Sequence, residues 1–598
     1  MCSLKNKFEE LHGNDNEQLN VIFSDAPRIM VTAPAGCGKT KTLVSRISFL
    51  LLNRKICTHK KVLVLTFSVN AAYKIKKNIM DIIPHMVANY SSNSLNENVY
   101  VTNFHGFARH LLGMYGYLLS DYFHNLKEFR SEDDSNIETL TKLGIDVLYD
   151  EAKFLSDYSQ AIKNVDIRFI RQNINRYIDI IIRKFVPHKY ITYNAILLLA
   201  IKLLKNFKQI KSFYQNIYPH VIVDEFQDTN ILNLILLQQL ISSKTNFMFM
   251  GDPIQRIYGF IGAVPYLMAK TQRLFNTTNF ELSKNYRFAD NQNMLLLDNN
   301  IRGHSQNLYF TPDKNAVVPF FYYASQSDES YCLAQRIAEI LKNDSSCRIA
   351  ILVAARSKNL DCIINYLNSQ NIVFFNALFN DESEEYAKFH YLSLDIFIKL
   401  SSTNNSINKA FLDRVFTSVS TLYENNNSQN ILSLLKLLEV FFKYVISEKN
   451  ILTNEEKFTL ITDVLGNKAL KQCMEYLNER VILSTVHGAK GLEWDVVMLP
   501  DMEEKLFPSY PSLCSVCYNN CNIKNRTIKC DFDRTKCNQQ FWKKYVETLS
   551  VFYVAVTRAK KQVFFSASKT CLNKYGQEEA SRISCLLSLP GISIQDLS

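Results

Sequence analysis

The stretch RIMVTAPAGCGKTKTLVSRI, residues 28–47, constrains the fold more than any other part of the chain. An apolar run that reads as a strand, a glycine-bearing turn and a segment of helical spacing follow one another without a break. A buried strand leading straight into a helix is the repeating unit of parallel α/β architecture. The turn ends in Gly38-Lys39-Thr40. Backbone N–H groups at the helix start can therefore meet phosphate oxygens, Lys39 can reach the β/γ-phosphates of a nucleotide, and the Thr40 hydroxyl can ligate magnesium. The expected cradle is Ala35, Gly36, Cys37, Gly38, Lys39, Thr40 and Lys41; the first glycine of the strict pattern is replaced by Ala33.

Other short apolar runs end in turn-like or charged residues: KVLVLTF, HVIVDE, NFMFMGD, RIAILVAA, VILSTV and QVFFSA. They have the composition of buried parallel strands. Segments of helical spacing such as TNILNLILLQQLI lie between them, and the stretches 109–205 and 386–478 lack strand runs and read mostly as helix. The pattern predicts α/β architecture with two parallel-sheet regions and helical insertions.

HVIVDEFQD ends a predicted strand in paired carboxylates. Asp224 can hold the magnesium shell, and Glu225 can orient and deprotonate water. An acidic pair after a strand is by itself usually a solvated loop. Combined with the upstream phosphate loop it predicts an NTPase, because phosphoryl transfer needs positioning and charge neutralisation more than covalent help.

The ordered segments TFSVNAA, NFHGFARHLL, VDEFQDTN, GDPIQRIYGFIGA, LSKNYRF, VHGAKGLEWDVVMLP and YVAVTRAKKQVFF resemble the motifs of the UvrD/Rep/PcrA-type superfamily 1A helicases. The resemblance implies two RecA-like domains with mainly helical insertions: domain 1A at 1–108 and 206–283, insertion 1B at 109–205, domain 2A at 284–385 and 479–598, and a short insertion 2B at 386–478. It implies that Gln18 reads adenine, Tyr286 stacks on it, Gln255 senses the γ-phosphate, Arg287 and Arg558 clamp that phosphate, and Glu493 lies at the nucleotide. It also implies DNA contacts at Phe67, Phe104, His105, Tyr258, Phe260 and His487. Aromatic faces of this kind stack bases at roughly 1–3 kcal/mol each, whereas core packing is the ordinary fate of such rings. Where the family has an arginine, this chain has Ile261, and Arg256 replaces a serine. The expected activity is ATP-dependent translocation and unwinding with 3′-to-5′ polarity on single-stranded and partly duplex DNA. The alternative is a helicase-like ATPase that senses DNA for a separate nuclease.

The net charge of +11 on 598 residues suits either a lysine-rich surface or a polyanionic partner. The N-terminus has no apolar leader and no stretch reaches the length of a membrane span, so the sequence predicts a soluble cytoplasmic, nucleoid or nuclear protein, monomeric or weakly self-associating. One window departs from the rest. CSVCYNNCNIKNRTIKCDFDRTKC, residues 514–537, lies within a predicted insertion at 510–540 and gathers five cysteines with five Lys/Arg. Cys514 and Cys517 form a tight pair that Cys530 and Cys537 could complete as a tetrahedral zinc site, with Cys521 able to substitute. An iron–sulfur cluster or reduced thiols are the other readings, and the basic residues suit nucleic-acid contact, a solvated rim or a docked protein.

Overall fold

A computed structural model describes residues 2–597 except 54, 58, 87–97, 136, 138–139, 141–142, 380–382, 403–405, 427, 448–451, 518–536 and 574. Two parallel sheets organise it. The first runs in the order Val99–Asn103, Val62–Thr66, His220–Val223, Asn246–Gly251, Arg28–Thr32, Thr278–Glu281. Its inner strands are continuous apolar runs because helices cover both faces; Val62–Thr66 is buried along its whole length. The outermost strand, Thr278–Glu281, is polar and largely exposed, as an edge tolerates.

The second sheet runs Phe374–Asn376, Val481–Thr485, Ile349–Val353, Trp494–Leu499, Ala559–Leu572, Ala316–Ser325, Ile592–Asp596, again parallel, with Glu578–Ala580 added antiparallel to Ala559–Leu572. The chain crosses from the first sheet to the second through residues 282–291, which brings Asn285–Arg287 against the loop after Arg28–Thr32.

The insertions are helical. Between Phe104 and Ile217 the helices enclose one small parallel pair, Arg130–Glu132 with Tyr190–Thr192. The second, Glu384–Ser401 through Asn454–Gly466, packs an apolar core continuous with that of the second sheet. It also reaches back to the first half of the chain: Lys76 pairs with Glu456 at 2.5 Å, Arg130 with Asp395 at 2.8 Å and Lys468 with Glu132 at 3.1 Å. Among the described residues no helix is long and apolar enough to cross a membrane.

Candidate nucleotide and nucleic-acid site

The loop after Arg28–Thr32 turns through two left-handed glycines, Gly36 at φ +80° and Gly38 at φ +77°. Helix Lys39–Leu52 then starts with Gly38 as its N-cap and no side-chain cap. The first-turn N–H groups of such a helix have no intrahelical acceptor and face an anion by default. A Cβ at Gly36 would lie 2.7 Å from Cβ of Arg287, and one at Gly38 would lie 2.5 Å from Nε2 of Gln18, so both close approaches require glycine. Ala35 and Cys37 are buried in the loop, and burial pushes the Cys37 thiol up to about 12, leaving it a packing group. Thr40 follows in the first helical turn. The Lys41 ammonium bonds the Leu11 carbonyl at 2.6 Å, so this side chain faces the N-terminal helix and not the cradle.

Lys39 is ion-paired with Glu225. Burial would lower the Lys39 ammonium, but Glu225 and Asp224 hold it above its ordinary value. Burial would likewise raise Glu225, yet Lys39 and Lys490 hold its carboxylate low. Burial pushes Asp224 up to about 6 although Lys39 pulls against it. Its Oδ1 is buried without a partner. An orphaned carboxylate oxygen beside a phosphate cradle fits a magnesium ion, which Asp224 and Thr40 would hold. Glu225 sits at φ +50°, a left-handed conformation that costs a non-glycine residue about 1–3 kcal/mol and clusters at functional sites.

The second sheet contributes the opposite wall. Arg287 is ion-paired with Glu493 and donates to the Thr557 carbonyl. Arg558 donates to the Leu492 and Val554 carbonyls at 3.1 and 3.0 Å. Burial and the like charge of Arg287 lower Arg558 to about 10, while Glu493 and Glu225 offset them. Tyr286 is 42% exposed, its hydroxyl bonds Asp15, and its ring stands beside Lys284. Gln18 is buried against the cradle, bonded to His12 and to the Cys37 carbonyl at 3.3 Å. Gln255 is turned inward, its amide donating to Asp252 at 2.8 Å.

Beyond the C-terminal ends of the first sheet's strands, Phe67 and Tyr258 stack at 4.5 Å and 17°. Lys490 lies 4.7 Å over the Tyr258 ring, and His487, 6.4 Å from it, contacts the Ile257 carbonyl at 3.3 Å. Phe104 corrects the sequence reading: it is 4% exposed within the first insertion's core and offers no base platform. His105 packs edge-on against Tyr193, and burial lowers it to about 4, which makes it a neutral group in a narrow crevice. The side chain of Phe260 lies outside the described part. Arg256 is neither strand-facing nor solvated: it bonds the Ala263 carbonyl at 3.1 Å and approaches Glu547 at 3.5 Å, which ties the two lobes together.

Two groups escaped sequence reasoning. Lys490 is buried against Asp228 and donates to the Gln255 carbonyl at 2.8 Å. Arg302 clamps Asp252 at 2.9 and 3.1 Å. A lysine bracketed by glycines in VHGAKGLEW was the available signal for the first; nothing local marks Arg302. Cys530 and Cys521 lie outside the described residues. Cys514, Cys517 and Cys537 are described, and among the described residues no cluster of three or more His, Cys, Asp or Glu forms a metal site.

The family model for the UvrD/REP helicase N-terminal domain matches residues 14–276. Over those residues the chain is similar to the UvrD/REP helicases. A probable DNA helicase II homolog of Mycoplasma genitalium is 22% identical over 92% of this chain and 84% of its own length. The ATP-dependent DNA helicase PcrA of Leuconostoc citreum is 22% identical over 95% of this chain and 84% of its own. The ATP-dependent DNA helicase Rep of Buchnera aphidicola is 22% identical over 92% and 94%. The family match covers the cradle, the Asp224-Glu225 pair and the Phe67–Tyr258 step, while the relatives extend the likeness through the second sheet. The likeness is thus to proteins named as ATP-dependent DNA helicases.

Proposed function

We propose that the chain hydrolyses ATP in the crevice between its two sheets and uses the cycle to move 3′ to 5′ along a single strand of DNA, unwinding duplex ahead of it. The observation that carries this reading is the convergence of Lys39 and Glu225 from the first sheet with Arg287 and Arg558 from around the second. A triphosphate in the cradle competes with Glu225 for Lys39. The released carboxylate then accepts the proton of an attacking water. Arg287 and Arg558 complete a charge clamp on the γ-phosphate only when the lobes close, which couples chemistry to motion. Magnesium, held by Thr40 and Asp224, supplies charge neutralisation for the phosphates when bound. Adenine is read between Tyr286 and Gln18. Phe67 and Tyr258 take the bases, and because they lie at the same seam, closure displaces the strand that they hold.

Steady-state ATPase with and without single-stranded DNA, run beside a strand-displacement assay, tests this. Stimulated hydrolysis together with displacement supports it. A second reading rests on Ile261, 38% exposed where the family has arginine, with Arg256 already engaged by Glu547. On that reading a strand-backbone contact is missing and the ATPase senses DNA for a separate nuclease. Stimulated hydrolysis without displacement selects it.

A further inference from the structure

A cavity of about 690 Å³ lies between the free edge of the first sheet, strand Val99–Asn103, and the second insertion's helix Asn454–Gly466. The volume falls within the roughly 300–1,000 Å³ of small-molecule sites. Its walls include the rings of Tyr73 and Tyr100, the latter braced by His110 at 5.5 Å and stacked on Tyr218 at 6.4 Å. Lys61, Glu455 and the Lys76–Glu456 ion pair also line it, and two further charged groups on its wall lack an ion-pair partner among the described residues. Arg109 of helix Phe104–Tyr115 gives one nitrogen to Ser131, while its Nε is buried without a partner. Asp463 of helix Asn454–Gly466 accepts no side-chain hydrogen bond among the described residues, and the two feel each other's charge without forming an ion pair. Leaving a guanidinium nitrogen unsatisfied in a buried wall costs free energy, and the half-buried Asp463 carboxylate stands on the same wall with acceptors to spare.

The chemistry of the pair narrows the ligand. A carboxylate takes two adjacent donors and a guanidinium two adjacent acceptors. Among the nucleobases guanine carries both sets on neighbouring edges: N1–H and the 2-amino group on one, O6 and N7 on the other. We propose that this cavity is a guanine pocket in which Asp463 accepts from N1–H and the 2-amino group, Arg109 donates to O6 and N7, and Tyr73 and Tyr100 flank the ring. The base has two sources. One is an unpaired guanine of the strand, the cavity wall including Val69, two residues along the chain from Phe67; this source rests on the proposed DNA function. The other is a free guanine nucleotide, which does not.

The test uses the full chain. Fluorescence anisotropy compares labelled oligothymidylate with the same strand carrying one central guanine or one hypoxanthine, which lacks the 2-amino group, and calorimetry titrates GMP against AMP. The expected result is roughly ten-fold or tighter binding for guanine over thymine and hypoxanthine, or for GMP over AMP. Asp463→Asn should erase the preference, and so should Thr459→Trp, which fills the mouth from an exposed position, while oligothymidylate affinity stays unchanged. A preference confined to the strand assigns the occupant to DNA; saturable GMP binding alone assigns it to the free nucleotide. No guanine preference in either arm, or a preference that survives both substitutions, overturns the pocket. Failure to bind any oligonucleotide contradicts the DNA reading but leaves the GMP arm to decide.

Discussion

At the scale of single residues, the site is a set of charges that satisfy one another until a nucleotide arrives. Lys39 neutralises Glu225, so removing either strands the other in a buried wall. Lys39→Ala should cut turnover at least 100-fold with the melting temperature shifted by only a few degrees; residual hydrolysis above a tenth of wild type would refute the assignment. Glu225→Gln separates binding from chemistry. Nucleotide affinity should persist while turnover falls 10²- to 10⁴-fold, the usual contribution of a positioned general base, as single-turnover kinetics would show. Phe67→Ala and Tyr258→Ala should each weaken single-strand affinity by about 1–3 kcal/mol, and the double mutant less than additively because the rings stack on each other. The cradle and the acidic pair stand out in the sequence because their signals are local, a glycine turn into a helix and an acidic pair after a strand, whereas Phe67 and Tyr258 are singled out only through the resemblance. Phe104 was misread because the side on which its ring falls depends on how helix Phe104–Tyr115 packs into an insertion core that no nearby residue announces. Arg302 and Lys490 stayed hidden for a related reason. Their partners, Asp252 and Asp228, belong to the other lobe.

At the scale of elements, the apolar strands announced themselves where helices cover both faces, as at Val62–Thr66 and Ile349–Val353. Edge strands such as Val99–Asn103 and Thr278–Glu281 did not, because half-exposed strands carry mixed side chains. Where the second sheet's strands end, Glu329, Asp501 and Glu503 meet in a buried network with Ser566, Ser568 and Asn359. Burial and the neighbouring Asp501 raise Glu329 to about 8; burial and both neighbours raise Glu503 well above the carboxylate range. A carboxyl whose folded value is raised keeps a proton that the unfolded chain releases near 4.5. Stability is therefore lost as pH climbs from about 4.5 to about 8, by up to roughly 1.4 kcal/mol per unit for each such proton. Glu503→Gln keeps an acceptor for Ser568 and removes the titratable proton, so folding no longer takes up a proton at this position. Its melting temperature should exceed wild type by a margin that widens from pH 5 to pH 8. A margin independent of pH would show that the network does not hold protons.

For the whole molecule, the two lobes meet through buried charge: Lys490 on Asp228, Arg302 on Asp252, and Asn285 bonded to the Ala35 carbonyl at 3.1 Å. Breaking one partner of such a pair leaves the other uncompensated, so these contacts favour discrete arrangements of the lobes over continuous sliding. Lys490→Ala should weaken the coupling between strand and nucleotide more than it weakens either binding alone: DNA stimulation of hydrolysis should fall while basal hydrolysis changes less. The central claim is that hydrolysis between the sheets drives movement along a single strand. Displacement of a 3′-tailed duplex, measured beside hydrolysis on the same DNA, tests it most directly. The account predicts ATP-dependent displacement by the wild-type chain, abolished together with stimulated hydrolysis in Arg558→Ala. Stimulated hydrolysis with no displacement of any tailed duplex would contradict it.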